Sequence, residues 1–228
     1  MPEIKLNILP SKRLNIIFCL SGTSFSGRFL DSLLNTLHYC NQKGIPYLIV
    51  RKESPVVYFV RNMCLGGDVL RGENQKPYNG QISYSHLMWL DNDIIFSPEQ
   101  FQTLLNYNQD VVSGIYMMSD NIHFAIVKDW NEEYFQKHGT FQFLSEKDIS
   151  NKKGLMEVDY VGMGFMLIKY GVFESLKYPW FRPLFHNIGK CADFSSEDVS
   201  FCLMAKEKGH KIYIDPELRV GHEKKIVL

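Results

Sequence analysis

Short apolar runs return along this chain with helical spacing between them, and that alternation limits what it can fold into. LNIIFCL (14–20), PYLIVR (46–51), HLMWL (86–90) and VVSGIYM (111–117) are nearly continuous apolar segments, the pattern of strands buried on both faces. Between the first two, turn-rich SGTSFSG leads into a helical pattern through about Lys43, which Gly44 closes. VVYFVRNMCLGGDVL (56–70) predicts a second helix, interrupted in composition by Gly66-Gly67, and RGENQKPYNGQIS (71–83) a polar loop. Ser97-Pro98-Glu99 supplies an N-cap, a proline at the first helical position and a first-turn acid, predicting a helix to about Asn106. Strand and helix thus alternate over the first 117 residues. The expected fold class is α/β: a Rossmann-like, mixed but mostly parallel central sheet flanked by helices, in a single domain.

The second half is less regular. Residues 118–155 mix charged and aromatic residues and are expected to form an excursion with short strands. MEVDYVGMGFMLIK (156–169) reads as two β-type runs broken at Gly162 and Gly164. A short helix near 171–176 precedes the aromatic, proline-rich loop YPWFRPLFH (178–186). Ser195 or Ser196 caps a helix over EDVSFCLMAKEK that Gly209 ends, and KIYID (211–215) is the last predicted strand.

Composition narrows the function classes. Lys plus Arg and Asp plus Glu number 25 each in 228 residues, so no global field draws the protein to nucleic acid, and an anionic ligand must be held by local groups. Five cysteines form an odd set with no C-x-x-C pair, which points to a reducing compartment. MPEIKLNILPSKR lacks a signal-peptide apolar region, and no run approaches the roughly 18 residues of a membrane span. The expected location is cytoplasmic.

The stretch WLDNDIIFSPE (89–99) sets two acids directly behind a buried-type strand. In extended chain Asp91 and Asp93 share one face and Asn92 takes the other. In open α/β sheets ligands occupy the crevice beyond the carboxyl ends of the strands. Two carboxylates in one crevice repel each other, and a hard dication relieves that repulsion. A solvated turn also favours Asp and Asn, but the apolar flanks HLMWL and IIF suit a surface turn poorly.

With these residues in view, the chain resembles the nucleotide-sugar-dependent glycosyltransferases of the GT-A fold, of the family 2-like, compact bacterial and viral kind. The pieces that carry the resemblance are Arg61-Asn62, LMWLDNDIIFSPE, DVVSGIY, VDYVGMGFMLIK, SSEDVSFC and IDPELRVGH, in the family's order across residues 14 to 222. The resemblance implies that Asp91-Asn92-Asp93 is the D-x-D motif, with Asp91 toward ribose or metal-bound water and Asp93 on the metal. His222 would complete the metal shell, and a nitrogen ligand favours Mn²⁺ over Mg²⁺. Glu197-Asp198 would be the acidic catalytic motif with Asp198 as the base; acids in a first helical turn are also explained by the helix dipole alone. Ser21-Gly22 lies where such enzymes seat the nucleotide. Arg61, costly in an apolar helix unless paired, would meet the nucleotide phosphates or form a structural ion pair.

Gly162-Met163-Gly164 would wall the donor sugar or acceptor, or form a bulge, and Asp159 would reach sugar hydroxyls. Lys224 and Lys225 could approach the diphosphate, solvated lysines being the ordinary alternative. The aromatic loop suits stacking on sugars and plain packing equally.

The function so implied is transfer of a hexose from a UDP- or GDP-sugar to a hydroxyl of a glycan or other acceptor, with inversion. Residues 14–117 would bind the nucleotide and 118–228 the acceptor. A sugar nucleotidyltransferase is the first alternative, although CLSGTSFSGR lacks the tight glycine spacing and early basic pair expected of one. A catalytically silent nucleotide-sugar-binding module is the second.

Overall fold

The computed structural model describes residues 15–224. Its first strand, β1 (Ile16–Ser21), is buried along its whole length. Ile17 and Cys19 belong to one hydrophobic cluster, and Ile16, Phe18 and Leu20 to another. A strand with apolar partners on both faces must lie inside a sheet covered on both sides. Helix α1 (Gly27–Lys43) follows, capped by the Ser26 side chain and ended by Gly44 in the left-handed region. β2 (Tyr47–Lys52) then returns parallel to β1.

The next helix, α2, spans Val57–Cys64 and stops six residues before the predicted end at 70. Gly67 N–H turns back to the Asn62 carbonyl at 2.9 Å. A Cβ on Gly67 would lie 2.7 Å from Tyr178 Cε2 and 2.9 Å from that same carbonyl oxygen, so the chain approaches itself too closely for another helical turn. The segment 71–83, expected to be a loop, contains a short 3₁₀ turn at Pro77–Gly80.

β3 (His86–Asp91) lies parallel to β1, with Ser21 beside Asp91. The two-residue β4 (Ile94–Ile95) leads into α3 (Pro98–Tyr107), where Ser97 and Gln100 form a reciprocal capping box. β5 (Val111–Ile115) follows. The excursion is more ordered than its sequence suggests. It holds β6 (His123–Val127), α4 (Glu132–His138), β7 (Phe143–Ser145) and the single turn α5 (Glu146–Ile149). Then come β8 (Met156–Val158), β9 (Tyr160–Val161), β10 (Phe165–Lys169), the single turn α6 (Val172–Ser175), and the hairpin of β11 (Phe185–Ile188) and β12 (Cys191–Phe194). α7 (Glu197–Glu207), β13 (Ile212–Arg219) and β14 (Gly221–His222) complete the described chain.

The central sheet has seven strands in the order β2-β1-β3-β10-β5-β13-β8. β10 is antiparallel to both β3 and β5, and β8 is antiparallel to β13; the remaining pairs are parallel. Five of the seven strands therefore point the same way, so the sheet is mixed and mostly parallel in direction, as expected, but β5 does not adjoin β3. FMLIK from the second half separates them, its alternate residues feeding the two cores: Phe165 and Leu167 one, Met166 and Ile168 the other. Helices α1 and α3 supply Phe29, Leu33, Phe101 and Leu104 to one core, and α2, α6 and α7 supply Cys64, Phe173 and Phe201 to the other. The result is a single α/β domain of GT-A-like form.

β13 runs past the predicted 211–215 to Arg219, with an irregularity in its pairing that accommodates Pro216. β14 pairs with β4, matching His222 to Ile94. All five cysteines are free thiols, with only Cys191 partly exposed. Among the described residues, no helix is long and apolar enough to cross a membrane.

The centre of the sheet is tight at Gly114, where a Cβ would meet Leu218 Cδ2 at 2.5 Å, Phe165 Cδ1 at 2.9 Å and Leu218 O at 3.1 Å. Gly114→Ala is expected to destabilise the domain by about 1–3 kcal/mol. Denaturant unfolding measures this; an unchanged midpoint would show that the strands separate freely there.

Candidate functional site

Parallel strands β1 and β3 end together, and their last residues touch: Ser21 Oγ donates to Asp91 Oδ1 at 3.0 Å. From α2, Arg61 reaches the same carboxylate, with Nη2 at 3.1 Å from Oδ1 and 3.2 Å from Oδ2. Its Nε donates to Glu197 Oε1 at 3.0 Å, so one buried guanidinium joins β3 to the start of α7. Burial alone would lower the Arg61 pKa, but Asp91, Glu197 and Asp198 together raise it, keeping the cation charged. Glu197 is pushed up by burial and by Asp198, against the pull of Arg61. The third guanidinium nitrogen, Nη1, is buried without a hydrogen-bond partner among the described residues.

Beyond β3 the chain turns through Asn92, whose amide donates to the Ser24 carbonyl at 2.7 Å. A Cβ on Gly22 would lie 3.0 Å from the Asn92 side chain, and Gly22 has φ +149°, so this close passage of the two loops suits glycine. Asp93 then meets the C-terminal segment. Its Oδ2 is 3.1 Å from His222 Nε2 and 2.9 Å from Lys224 Nζ, and its carbonyl accepts from Glu223 N–H at 2.7 Å. The His222 Nδ1 lies 2.7 Å from the Met117 carbonyl. A carbonyl can only accept, so Nδ1 carries the proton. The Asp93 carboxylate also only accepts, so its contact with Nε2 favours a second proton there and raises the His222 pKa against the effect of burial. Only the neutral ring offers a cation the Nε2 lone pair. Burial would raise the Asp93 pKa, but the contacts with His222 and Lys224 carry it down to about 2.

Ser21, Gly22, Arg61, Asp91, Asn92, Asp93 and His222 all line one cleft of about 400 Å³, closed by Ser54, Pro55, Val57, Val60, Ile94 and Tyr116. The structure thus gathers every residue assigned from sequence to the nucleotide or the metal. It does not make Asp91 a third member of a metal cluster. Among the described residues, no group of three or more His, Cys, Asp or Glu side chains is placed to hold an ion. Both oxygens of Asp91 are engaged by Arg61, and Oδ1 by Ser21 as well.

The Asp93–His222 pair does fit a cation. A carboxylate oxygen and an imidazole nitrogen converge, and the Lys224 ammonium stands against both, occupying a position that attracts positive charge. Lys225 lies outside the described residues.

Asp198, on the first turn of α7, accepts from Tyr160 Oη at 3.0 Å and from Ser196 Oγ at 2.5 Å. The residues expected to bind sugar are placed otherwise. Asp159 pairs with Lys206 and accepts the Trp130 N–H, so its carboxylate secures the excursion to α7. Met163 is fully buried in the core. Gly162 and Gly164 pack against Tyr116, whose Oη accepts the Gly164 N–H at 3.1 Å and would be 2.2 Å from a Cβ on Gly162. These glycines admit Tyr116, while Gly164 O accepts Asp91 N–H at 3.0 Å. Glu197 is turned to Arg61 rather than to the cleft wall. Asn62 is structural, accepting from Trp180 N–H at 2.9 Å.

Tyr116 and Tyr160 are the residues that sequence reasoning missed. Tyr116 lines the cleft and packs edge-on against His222 with ring centroids 5.0 Å apart. Both tyrosines sit among apolar residues, where their patterning is that of core side chains.

The fold and the cleft at the carboxyl ends of its strands define a GT-A-like α/β protein. No family model matches the chain, and no curated protein sequence matches it. Among solved structures, A197 from STIV aligns with a TM-score of 0.50 at 18% identity, over 94% of this chain and 96% of that one. GalNAc-T7, solved with UDP, GalNAc and Mn²⁺, aligns with a TM-score of 0.54 at 10% identity, over 93% of this chain and 43% of that one. The chain therefore spans less than half the length of GalNAc-T7. Inositol-1-phosphate CTP transferase from T. maritima aligns at a TM-score of 0.45, too loosely to bear on function.

Removing Arg61 would leave Asp91 and Glu197 facing each other unpaired. Because Asp91 is partly solvated, Arg61→Ala is expected to destabilise the domain by about 2–4 kcal/mol, at or below the range for breaking a buried ion pair. Chemical denaturation measures it, and a loss under about 0.5 kcal/mol, the level of an exposed pair, would show that solvent screens the acids.

Proposed function

We propose that the chain is a metal-dependent glycosyltransferase, family 2-like and compact, moving a hexose from a nucleoside diphosphate sugar to an acceptor hydroxyl with inversion. The observation that carries this reading is the convergence of Asp93 Oδ2 and His222 Nε2 on one cation position, in a cleft at the strand ends that also holds Ser21, Asp91 and Arg61. A UDP- or GDP-sugar is the donor class, supported by the likeness in fold to a protein solved with UDP and Mn²⁺. Residues 14–117 contribute most of the cleft, joined there by His222, and the rest of 118–228 the acceptor side.

Asp93 and His222 would hold Mn²⁺ or Mg²⁺, which when bound offsets charge on the departing diphosphate. Arg61, which lines the cleft, orients Asp91 and adds positive charge beside an anionic ligand. Asp198, fixed by Tyr160 and Ser196, takes the acceptor proton as that oxygen bonds to the anomeric carbon and the bond to the phosphate oxygen breaks. Single displacement inverts the configuration. Glu197 acts through Arg61 and Asp159 through Lys206, as positioning groups.

A thermal-shift panel of nucleoside diphosphates and their sugars, with and without Mn²⁺, tests the reading. A nucleotide shift that grows with Mn²⁺ in the wild type and loses that increment in Asp93→Ala is the expected result; no shift with any nucleotide would refute it. Asp198→Asn should retain the donor shift and lower transfer by about 10²–10⁴-fold, the usual weight of a positioned base. Retained anomeric configuration by NMR would remove the single-displacement step.

Lys224 and a metal ion want the same place. Lys224→Met is expected to tighten Mn²⁺ binding about 2- to 5-fold without nucleotide, in line with loss of one partly exposed ion pair. Calorimetric titration reads this directly, and equal affinities would place the ion elsewhere.

A further inference from the structure

Outside the cleft, the excursion and the β11–β12 hairpin enclose a second cavity of about 130 Å³. Trp130, Phe141 and Phe194 form its aromatic walls, and His186, Asp193 and Ser195 its polar ones. The aromatic side is braced from behind. Trp130 and Phe141 have centroids 4.9 Å apart, and His186 lies 5.6 Å from Trp130 with its Nε2 held by Ser195 Oγ at 2.9 Å. Asp193 uses Oδ1 to accept the Phe194 N–H at 2.7 Å, while Oδ2 has no partner among the described residues.

The hairpin also leaves apolar surface in water. Phe185 and Phe194 face each other across the strands, rings 5.3 Å apart, and are 60% and 65% exposed. Two phenyl rings held in solvent at the mouth of an aromatic cavity mark a surface built to be covered.

Size and chemistry choose the occupant. This open pocket is slightly smaller than the ~150 Å³ cavity that takes up benzene. It therefore seats one face of a single six-membered ring with the rest in solvent, and is too small for the face of a partner helix. The carboxylate in its wall disfavours a phosphate. A free carboxylate oxygen and an imidazole beside aromatic faces match a pyranose, which offers a C–H face for stacking and hydroxyls to donate. The cavity also adjoins the proposed base. Ser195 immediately precedes Ser196, which hydrogen-bonds Asp198. A ladder of rings runs from Phe141 to Phe143 at 5.9 Å and to Tyr160 at 6.4 Å, and Tyr160 holds the other Asp198 oxygen.

We infer that this cavity is a carbohydrate subsite: a pyranose unit of a glycan acceptor stacks on Trp130 and Phe194 and donates hydroxyls to Asp193. That the sugar is the acceptor rests on the transferase reading above; that the pocket binds a sugar does not.

Two of the three tryptophans, Trp89 and Trp180, are fully buried, so emission changes on adding a solute report chiefly on Trp130. The labelled 228-residue chain is screened on an immobilised-glycan array, and the best-retained glycan is titrated while acrylamide quenching is followed. Retention of at least one glycan, with protection from quenching, is expected. The exposed-site variants Phe194→Ala and Asp193→Asn, which should fold normally, are expected to weaken that glycan at least tenfold and to leave the nucleotide-dependent thermal shift unchanged. No retained glycan, or equal affinity in both variants, overturns the subsite. Glycan binding at Trp130 without any nucleotide shift upholds the subsite and refutes the transferase. A nucleotide shift without glycan binding does the reverse.

Discussion

One guanidinium holds the site together. Arg61 leaves α2 buried beneath Trp89, to whose ring its carbon lies 5.6 Å, and divides its donors between Asp91 at the end of β3 and Glu197 at the start of α7. Those acids stand on elements far apart in sequence, and without the cation between them they would repel. The pairing sets where α7 begins relative to the sheet, and hence where Asp198 points. An ion pair this buried contributes little net stability compared with apolar packing, because desolvation offsets attraction. Its service here is geometric: it fixes two acidic segments in register.

Two further contacts extend that arrangement. Gly164 O accepts the Asp91 N–H, so the Gly162–Gly164 turn is bonded to the strand end that carries the acids. The turn also leaves room for Tyr116, which touches His222. Asp91, Gly164, Tyr116, His222 and Asp93 are thus linked in series by hydrogen bonds and ring packing around the cleft, and the backbone through Asn92 closes the circuit. Each member comes from a different strand or turn, and the tail enters it only because β14 pairs with β4.

Much of this was legible beforehand, for identifiable reasons. The strands β1, β2, β3 and β5 announced themselves because continuous apolar runs have few other uses. Ser97-Pro98 and Gly44 marked helix ends because their backbone chemistry is local. The acids of the cleft were visible because charge beside an apolar run is conspicuous. What sequence could not reveal was adjacency. FMLIK reads as a strand, but nothing in it says that it lies antiparallel between β3 and β5. Nor does Asp159 disclose that Lys206 awaits it, since both look like free surface charges. Tyr116 and Tyr160 passed for core residues because their rings are indeed buried and only the hydroxyls do polar work. Residues 118–155 looked formless because each strand there is short and draws its stability from aromatic packing rather than from repeating pattern.

The place of β10 has a bearing on how the molecule comes into being. A strand made late in synthesis is wedged between two made early, and β13, later still, borders β5. On the ribosome the emerging N-terminal stretch can pair β1 with β2 and β3, but β5 has no neighbour until residues 165–169 appear. Sheet closure is therefore governed by contacts of long sequence separation, which form slowly. Nor can the chain be dissected into portable modules at its midpoint, because each portion lacks a strand that the other supplies.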